Sequence, residues 1–551
     1  MAKKSSKTGK GRRTKRLERI GIIVVHGVGE QRRFEFLESF ASNLYKAISK
    51  LSGREPHIQI RHGDQVPRLS PEHSWREAPV LVRWKKADGG EIEAAFREVH
   101  WADLDLSRTW RRWVKLVGWS LGISGVRLFV RSGVGKPEEH GMCPPIPLNI
   151  WRRLLVRLQL FIVSLMFLVA LTTIDLFRWI VRRLSFRWQW LESARILIYN
   201  YLGDVKLYQD WFAHRGERME TLGEKSRVAI RRRMIRALVQ IAKEIESRQL
   251  DGYYIFAHSL GTVVAFNGLM ETDLALPNYL TQEEWLGLPA VLKNKVAKPL
   301  PEYQMPKRTP WLDKPKTAGK HDAINRKRLF QGLRGFLTIG SPLDKFAALW
   351  PAIVPVNGAS IGAIPGGAPW FNVADVQDIV AGKLDQFAPC KRAPDIGGLK
   401  LKNFDWGDQL FFFLAHTSYW KASKGKRQRL IDRIVPWIEG ASLRAPDNAL
   451  SPFLARVIYW FSLGIVGLLL LWLLAYGVWG ILNRASSFFD EPLLSGASRQ
   501  WLESLGLIGH YADAIVPTMF FLFVVGVAIV VACSVVRWLW ETAKFRRPNG
   551  G

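Results

Sequence analysis

One stretch near the middle of the chain constrains the fold more than any other. It reads DGYYIFAHSLGTVVAFNGLM from Asp251 to Met270: an apolar run, a tight turn around Ser259, and a segment compatible with a helix. The residues two before and two after the serine, Ala257 and Gly261, are small, as a serine in strained backbone at the tip of a turn requires. The run Tyr253 to Phe256 is typical of a buried strand, so the pattern predicts a strand, a sharp turn and a helix.

The spacing A-x-S-x-G differs from the G-x-S-x-G of a nucleophile elbow only in Ala257, and alanine is the next smallest residue after glycine. We therefore expect Ser259 to be an exposed nucleophile at the turn. On these five residues alone, an ordinary strand-turn-helix with a buried serine is an equally good interpretation.

A second motif lies near the start of the chain, where GIIVVHGVGEQ joins a β-branched run to a His26-Gly27 turn. In lipases and esterases such a turn supplies a backbone N–H to the oxyanion hole, and glycine lets the chain approach the substrate. We expect the N–H groups of Val28 and Leu260 to be the two donors. His26 is expected to be a structural turn residue.

The acid and the base have candidates later in the chain. The segments Trp370 to Val373 and Leu399 to Phe404 are predicted strands; Asp375 or Asp378 follows the first, and His416 follows the second. The chain order of serine, aspartate and histidine is the order found in α/β-hydrolases. A base is needed because a serine hydroxyl is a weak nucleophile.

Five motifs in this order resemble the α/β-hydrolase superfamily, specifically its lipase-like serine esterases: HGVGEQ, AHSLGTVVAF, TIGSPLDK, WFNVADVQDIVAG and AHTSYW. The resemblance implies a mostly parallel sheet with helices on both faces, an acyl-serine intermediate and ester substrates that are often lipids. The segment D-I-V-A is similar to the D-x-V-A that carries the acid in such enzymes, which favours Asp378 over Asp375 and completes a Ser259, His416, Asp378 triad. No HExxH, paired CxxC or P-loop is present, so no metal or cofactor is expected.

Composition points to a membrane. The 551 residues are 48% hydrophobic and include 24 tryptophans, yet they carry a formal charge of +31. The apolar run Leu158 to Leu176 is just long enough to span a bilayer, but arginines flank it on both sides. A re-entrant or interfacial helix, a hairpin with the weaker run Val114 to Val130, and a buried helix of the domain all remain open.

Two longer apolar runs near the end, Val457 to Leu482 and Ala514 to Val536, predict a transmembrane hairpin. The loop 483–513 between them has two basic and four acidic residues, and the tail 537–551 has four basic and one acidic. The positive-inside rule then places the tail and the catalytic domain on the cytoplasmic side. Three scattered cysteines agree with a reducing compartment.

These observations predict a division of the chain into five parts. They are a basic disordered arm (1–18), the first part of a hydrolase domain (19–109), a membrane-associated insert (110–190), the rest of the hydrolase domain with a cap or lid at 271–328 (191–445), and a C-terminal transmembrane hairpin (450–545). An unstructured surface insertion is the alternative for the cap.

The expected function is that of an integral membrane serine hydrolase, facing the cytoplasm, that cleaves acyl esters of lipids or phospholipids. Membrane lipids, anionic ones among them, are its expected partners because the chain is strongly basic. No specific nucleic acid is expected, since recognisable binding modules are missing. A catalytically silent hydrolase fold that serves as a membrane scaffold, and a thioesterase or protein deacylase, are the alternatives.

Overall fold

The computed structural model describes residues 17–27, 34–52, 56–60, 80–86, 88–101, 142–143, 145, 149–160, 162–163, 208, 226–296, 321–350, 353–357, 364, 367–387, 401–409, 415–421 and 427–468. The chain divides into two compact units, 1–470 and 471–551, and all described residues belong to the first. Val28, most of the insert 110–190, and the run Ala514 to Val536 lie outside the described residues.

Twelve strands occur in the described residues, and eight of them form one sheet. The strands are β1 (Leu17–Val25), β2 (His57–Ile60), β3 (Val80–Lys85), β4 (Glu91–Val99), β5 (Met142–Cys143), β6 (Gly252–His258), β7 (Lys293–Lys295), β8 (Asp322–Ile324), β9 (Leu333–Ile339), β10 (Val356–Asn357), β11 (Trp370–Asp375) and β12 (Leu401–Trp406). The large sheet has the order β12-β11-β9-β6-β1-β4-β3-β2. Its six strands from β12 to β4 are parallel, and β3 and β2 continue it antiparallel at one edge.

Nine α-helices with defined bounds accompany the strands in the described part of the chain, and Tyr208 is a further helical residue. They are α1 (Glu35–Ser52), α2 (150–160), α3 (Ser226–Glu246), α4 (Gly261–Met270), α5 (Gln282–Leu286), α6 (Arg326–Leu329), α7 (Leu343–Leu349), α8 (Leu430–Ile438) and α9 (452–468).

Helices cover both faces of the sheet because the central strands are apolar on both sides. In β1, Ile23 and Val25 point into the layer that contains α3 and α4. Ile22 and Val24 point into the opposite layer, which contains α1 and α8. Alternate residues of a strand face opposite sides of a sheet, so a continuous β-branched run must be covered twice. The class is therefore α/β with a mostly parallel mixed sheet, as expected.

Two strands near one edge of the sheet form a β-hairpin. β3 pairs antiparallel with β4, and the turn between them includes Asp88, Gly89 and Gly90. Gly89 has a φ of 84°, a left-handed conformation that glycine adopts without strain.

The described parts of the segment 271–328 are residues 271–296 and 321–328, and their apolar side chains pack into the core. Leu276, Tyr279 and Trp285 are buried in the same apolar layer as α3 and α4, and a Thr281 capping box starts α5. The Tyr253 hydroxyl at the start of β6 donates to the carbonyl of Leu329 (3.4 Å), so the segment ends near the amino end of that strand. Ser259 follows the other end of β6, six residues after Tyr253. At about 3.3 Å per residue of strand, the two positions are about 20 Å apart. The cap or lid stays a prediction for residues 297–320, which lie outside the described residues.

None of the described helices is both long and apolar enough to cross a bilayer. Helix α2 contains the first residues of the run Leu158 to Leu176, and α9 contains the first part of the run Val457 to Leu482. Residues 162–163 of the first run are also described, and the other residues of both runs lie outside the described part of the chain.

Candidate active site at the carboxyl edge of the sheet

The candidate site lies at the carboxyl ends of four parallel strands. The loop at Gly27 follows β1, Ser259 follows β6, Asp378 follows β11, and His416 follows β12. Parallel strands end at the same edge of a sheet, so these positions converge although they are far apart in the sequence.

Ser259 stands at a strained turn between β6 and α4. Its φ is 53°, which places a non-glycine residue in the left-handed region. Its N–H donates to the carbonyl of Ile339 (2.9 Å), and its carbonyl accepts the Thr262 hydroxyl (2.7 Å). A Cβ at Gly261 would lie 2.3 Å from the carbonyl oxygen of His26, so only glycine fits there. Ala257 is fully buried in β6.

Ser259, His416 and Asp378 form a continuous hydrogen-bonded relay. The Ser259 Oγ lies 2.8 Å from His416 Nε2, and His416 Nδ1 lies 2.8 Å from Asp378 Oδ2. In a neutral ring, Nδ1 carries the proton and donates it to the carboxylate, which leaves Nε2 free to accept the serine hydroxyl. The serine is 1% exposed, so this relay lies in a water-poor site.

Asp378 is held as a carboxylate. Burial raises its pKa, but the charge and hydrogen bond of His416, the N–H of Val380 and the hydroxyl of Tyr419 together bring that pKa below its ordinary value. The Val380 N–H donates to Oδ1 and the Tyr419 hydroxyl donates to Oδ2, each at 2.8 Å. Three donors on one buried carboxylate fix its orientation as well as its charge.

Asp375, the alternative acid, has different partners. Its carboxylate accepts the N–H of Gln377 (2.8 Å) and of Asp408 (3.1 Å), while Asp378 occupies the place beside His416. Burial raises the pKa of Asp375 to about 7, and the neighbouring Asp378 adds to this. Asp375 therefore fastens the end of β11 to the loop after β12.

Two aromatic residues that the sequence analysis did not single out support the relay. Tyr419 lies between the carboxylates: it donates to Asp378 and accepts the N–H of Asp375 at 2.8 Å. The His258 ring donates from Nε2 to the carbonyl of His416 (3.0 Å). Burial lowers the pKa of His258 to about 3, so its ring stays neutral and keeps this donor. The sequence feature that could have identified Tyr419 is its position three residues after His416 within AHTSYW.

His26 shapes the loop beside the serine. It is fully buried, its Nδ1–H donates to the carbonyl of Gly27 (2.8 Å), and its Nε2 accepts the N–H of Trp101 (3.0 Å). Its ring also stacks on the Trp101 indole, with centroids 5.0 Å apart. Gly27 packs directly on the serine, because a Cβ there would lie 2.5 Å from Ser259 Cβ.

Leu260 and Val28 carry the two expected oxyanion donors. Leu260 follows the serine, and its N–H donates no hydrogen bond to any described residue. Val28 follows Gly27 but lies outside the described residues. Among the residues that the structure describes, no group of three or more His, Cys, Asp or Glu is arranged to hold a metal ion.

Comparisons with protein-family models, with curated proteins and with solved structures find no match to this chain.

Proposed function

We propose that the protein is a serine hydrolase that cleaves acyl esters through an acyl-enzyme on Ser259. The observation that carries the proposal is the relay of two 2.8 Å contacts, from Ser259 Oγ to His416 Nε2 and from His416 Nδ1 to Asp378 Oδ2. A serine hydroxyl, an imidazole and a buried carboxylate in this geometry are the parts that nucleophilic acyl transfer requires.

Each residue has a defined part in the reaction. His416 Nε2 takes the proton of Ser259 as Oγ attacks the ester carbonyl, and Asp378 stabilises the imidazolium that forms. The negative oxygen of the tetrahedral intermediate is bound by the N–H groups of Leu260 and Val28. The intermediate collapses when His416 returns the proton to the leaving alcohol. Water then attacks the acyl-serine by the same route in reverse, which releases the acid and restores the serine.

The topology supports an α/β-hydrolase fold for this domain. A strand, the strained serine, a helix, and then the acid and the base after later parallel strands occur in the order that this fold uses. Gly27 beside the serine and the neutral, buried His26 agree with an oxyanion loop after the first strand of the parallel set.

We extend the proposal to a membrane-anchored enzyme whose catalytic domain faces the cytoplasm and whose substrates are lipid or phospholipid esters. The support is the sequence of the apolar runs and the exposed apolar side chains of α2 and α9, with Ile150, Trp151, Phe453, Phe461 and Leu468 between 69% and 76% exposed. Patches of this kind mark interaction sites with apolar partners. An anchored enzyme meets its insoluble substrate in the bilayer, and a net charge of +31 favours anionic headgroups.

A fluorophosphonate probe tests the proposal, since it reacts with activated serines. Wild-type protein in lipid nanodiscs should be labelled, and Ser259→Ala and His416→Ala should not be. Ser39→Ala, on the exposed side of α1, is the matched control and should be labelled like wild type. A folded wild type that resists the probe would contradict the proposal and favour the scaffold alternative.

A further inference from the structure

Two polar side chains tie the loop of Asp378 to the two helices that lead into the apolar runs. Gln159 of α2 donates from Nε2 to the carbonyl of Ile379 (3.1 Å), the residue directly after the acid. Gln377, the residue directly before the acid, donates from Nε2 to the carbonyl of Ala455 in α9 (2.7 Å). Each peptide neighbour of Asp378 is therefore bound to a different helix.

The two helices are also bound to each other at this point. The same Gln159 Nε2 donates to the Tyr459 hydroxyl of α9 at 2.6 Å, so one side-chain amide joins α2, α9 and the acid loop. Further along, Gly467 packs against the Ile162 side chain, with a Cβ at Gly467 only 3.2 Å from it. The helices thus form a pair that contacts the domain beside Asp378.

The polar contacts lie on the inner side of this pair. Gln159 is 9% exposed, and Ala455, Tyr459 and Leu463 form a buried stripe at intervals of four residues on α9. A buried glutamine is costly unless its amide is hydrogen-bonded, so the geometry around Gln159 is tightly specified. The outer side of α9, by contrast, exposes large apolar side chains such as Phe461.

We propose that the helix pair α2 and α9 positions the catalytic acid, with Gln159 and Gln377 as positioning residues that hold the Asp378 loop at the distance His416 requires. The inference rests on the proposed function and deepens it: the part of the chain that enters the lipid also sets the geometry of the relay. The lipid bilayer is the partner of the outer faces, because the apolar sequence of both helices continues from Leu158 to Leu176 and from Val457 to Leu482.

Loss of a tether should slow the reaction because the relay depends on short distances between its three side chains. Asp378 must keep Oδ2 at 2.8 Å from His416 Nδ1. The Val380 N–H and the Tyr419 hydroxyl hold its carboxylate, the Asp378 N–H donates to the carbonyl of Asp375 (3.0 Å), and the two glutamine tethers restrain the residues on either side. If one tether is lost, the peptide next to Asp378 can shift. A displacement of about 1 Å in a catalytic group lowers the rate about a hundredfold, so a partial shift should cost about tenfold.

The test compares three buried glutamines in nanodisc-embedded protein. Gln159→Leu and Gln377→Met remove the two tethers with little change in volume. Gln386→Met is the matched control, because Gln386 is also buried but donates to the carbonyl of Asp344 at 3.4 Å. The maximal labelling rate and the half-saturating concentration of the fluorophosphonate are measured separately for each protein, together with the thermal unfolding temperature.

The first two variants should each lower the maximal rate about tenfold while the half-saturating probe concentration changes by less than about twofold. Gln386→Met should label at the wild-type rate. A defect that is only structural would instead reduce the labelled fraction and the unfolding temperature. Equal maximal rates in Gln159→Leu, Gln377→Met and the control would overturn the inference.

Hydrogen–deuterium exchange separates this inference from the proposed function. Amides of residues 376–382 should exchange faster in Gln159→Leu and Gln377→Met than in wild type, whether or not the protein reacts with the probe. Faster exchange together with an unlabelled wild type would contradict the hydrolase and leave the tethering intact. Unchanged exchange in both variants would refute the tethering even if wild type is an active hydrolase.

Discussion

Substituting Gly27 by alanine tests how closely the loop after β1 is fitted to the serine. The added Cβ would lie 2.5 Å from Ser259 Cβ and 3.1 Å from Ser259 Oγ, whereas ordinary van der Waals contact begins at 3.4 Å. Both atoms belong to short, buried groups, so the conflict cannot be relieved by rotating a flexible side chain. The loop and the elbow must separate by about 1 Å to restore normal contact.

This separation sets the expected size of the effect. A displacement of about 1 Å at the reacting centre costs about a hundredfold in rate, which corresponds to about 2.7 kcal/mol of transition-state stabilisation. The hydroxyl of Ser259 would move away from His416 Nε2, and the neighbouring backbone N–H groups would move away from the oxyanion.

The assay is the second-order rate constant of fluorophosphonate labelling in nanodiscs, with thermal unfolding measured in parallel. Gly464→Ala is the control, since a Cβ there meets nothing within 4 Å. The control should label at the wild-type rate. If Gly27→Ala folds and labels within about threefold of wild type, the loop is not part of the site and the reasoning is wrong.

Three further predictions concern the acid and its support. Asp378→Asn should reduce the labelling rate by about 10³-fold or more, because the wrong imidazole tautomer is then favoured. Asp375→Asn should retain most of the wild-type labelling rate. Equal losses in the two variants would mean that the two acids have been assigned wrongly. Tyr419→Phe removes a donor to Asp378 and leaves the buried N–H of Asp375 without its acceptor, so the free energy of unfolding should fall by about 1–3 kcal/mol in denaturant titrations. Burial raises the pKa of Asp375 to about 7, so the folded protein retains a proton that the unfolded chain releases above about 3.8, and stability should fall as the pH rises through this window. Asp375→Asn should flatten that part of the stability profile, and an unchanged profile would contradict a protonated Asp375.

The sequence predicted the parts of the site that depend on local chemistry. A strained serine needs small neighbours, so the spacing alone predicted the roles of Ala257 and Gly261. A buried parallel strand appears in the sequence as an unbroken apolar run, which predicted the central strands. The carboxyl-edge placement of Ser259, Asp378 and His416 follows once the strands are known to be parallel, because their ends then meet.

The remaining features depend on contacts between distant parts of the chain. Asp375 and Asp378 are three residues apart at the end of one strand. The similarity to D-x-V-A favours Asp378, but the contact itself depends on the position of the distant loop that carries His416. The contacts of Gln159 with Ile379 and of Gln377 with Ala455 join residues 220 and 78 positions apart, which no local pattern encodes.

The most direct test of the central claim is to trap the acyl-enzyme. Nanodisc-embedded protein is mixed with a slowly deacylating activated ester, quenched in acid and digested, and the peptide that contains Ser259 is examined by mass spectrometry. The hydrolase account predicts one acyl group on Ser259 in wild type and none in His416→Ala. An acyl group on another residue, or a folded wild type that forms no adduct while a reference serine esterase does, would contradict it.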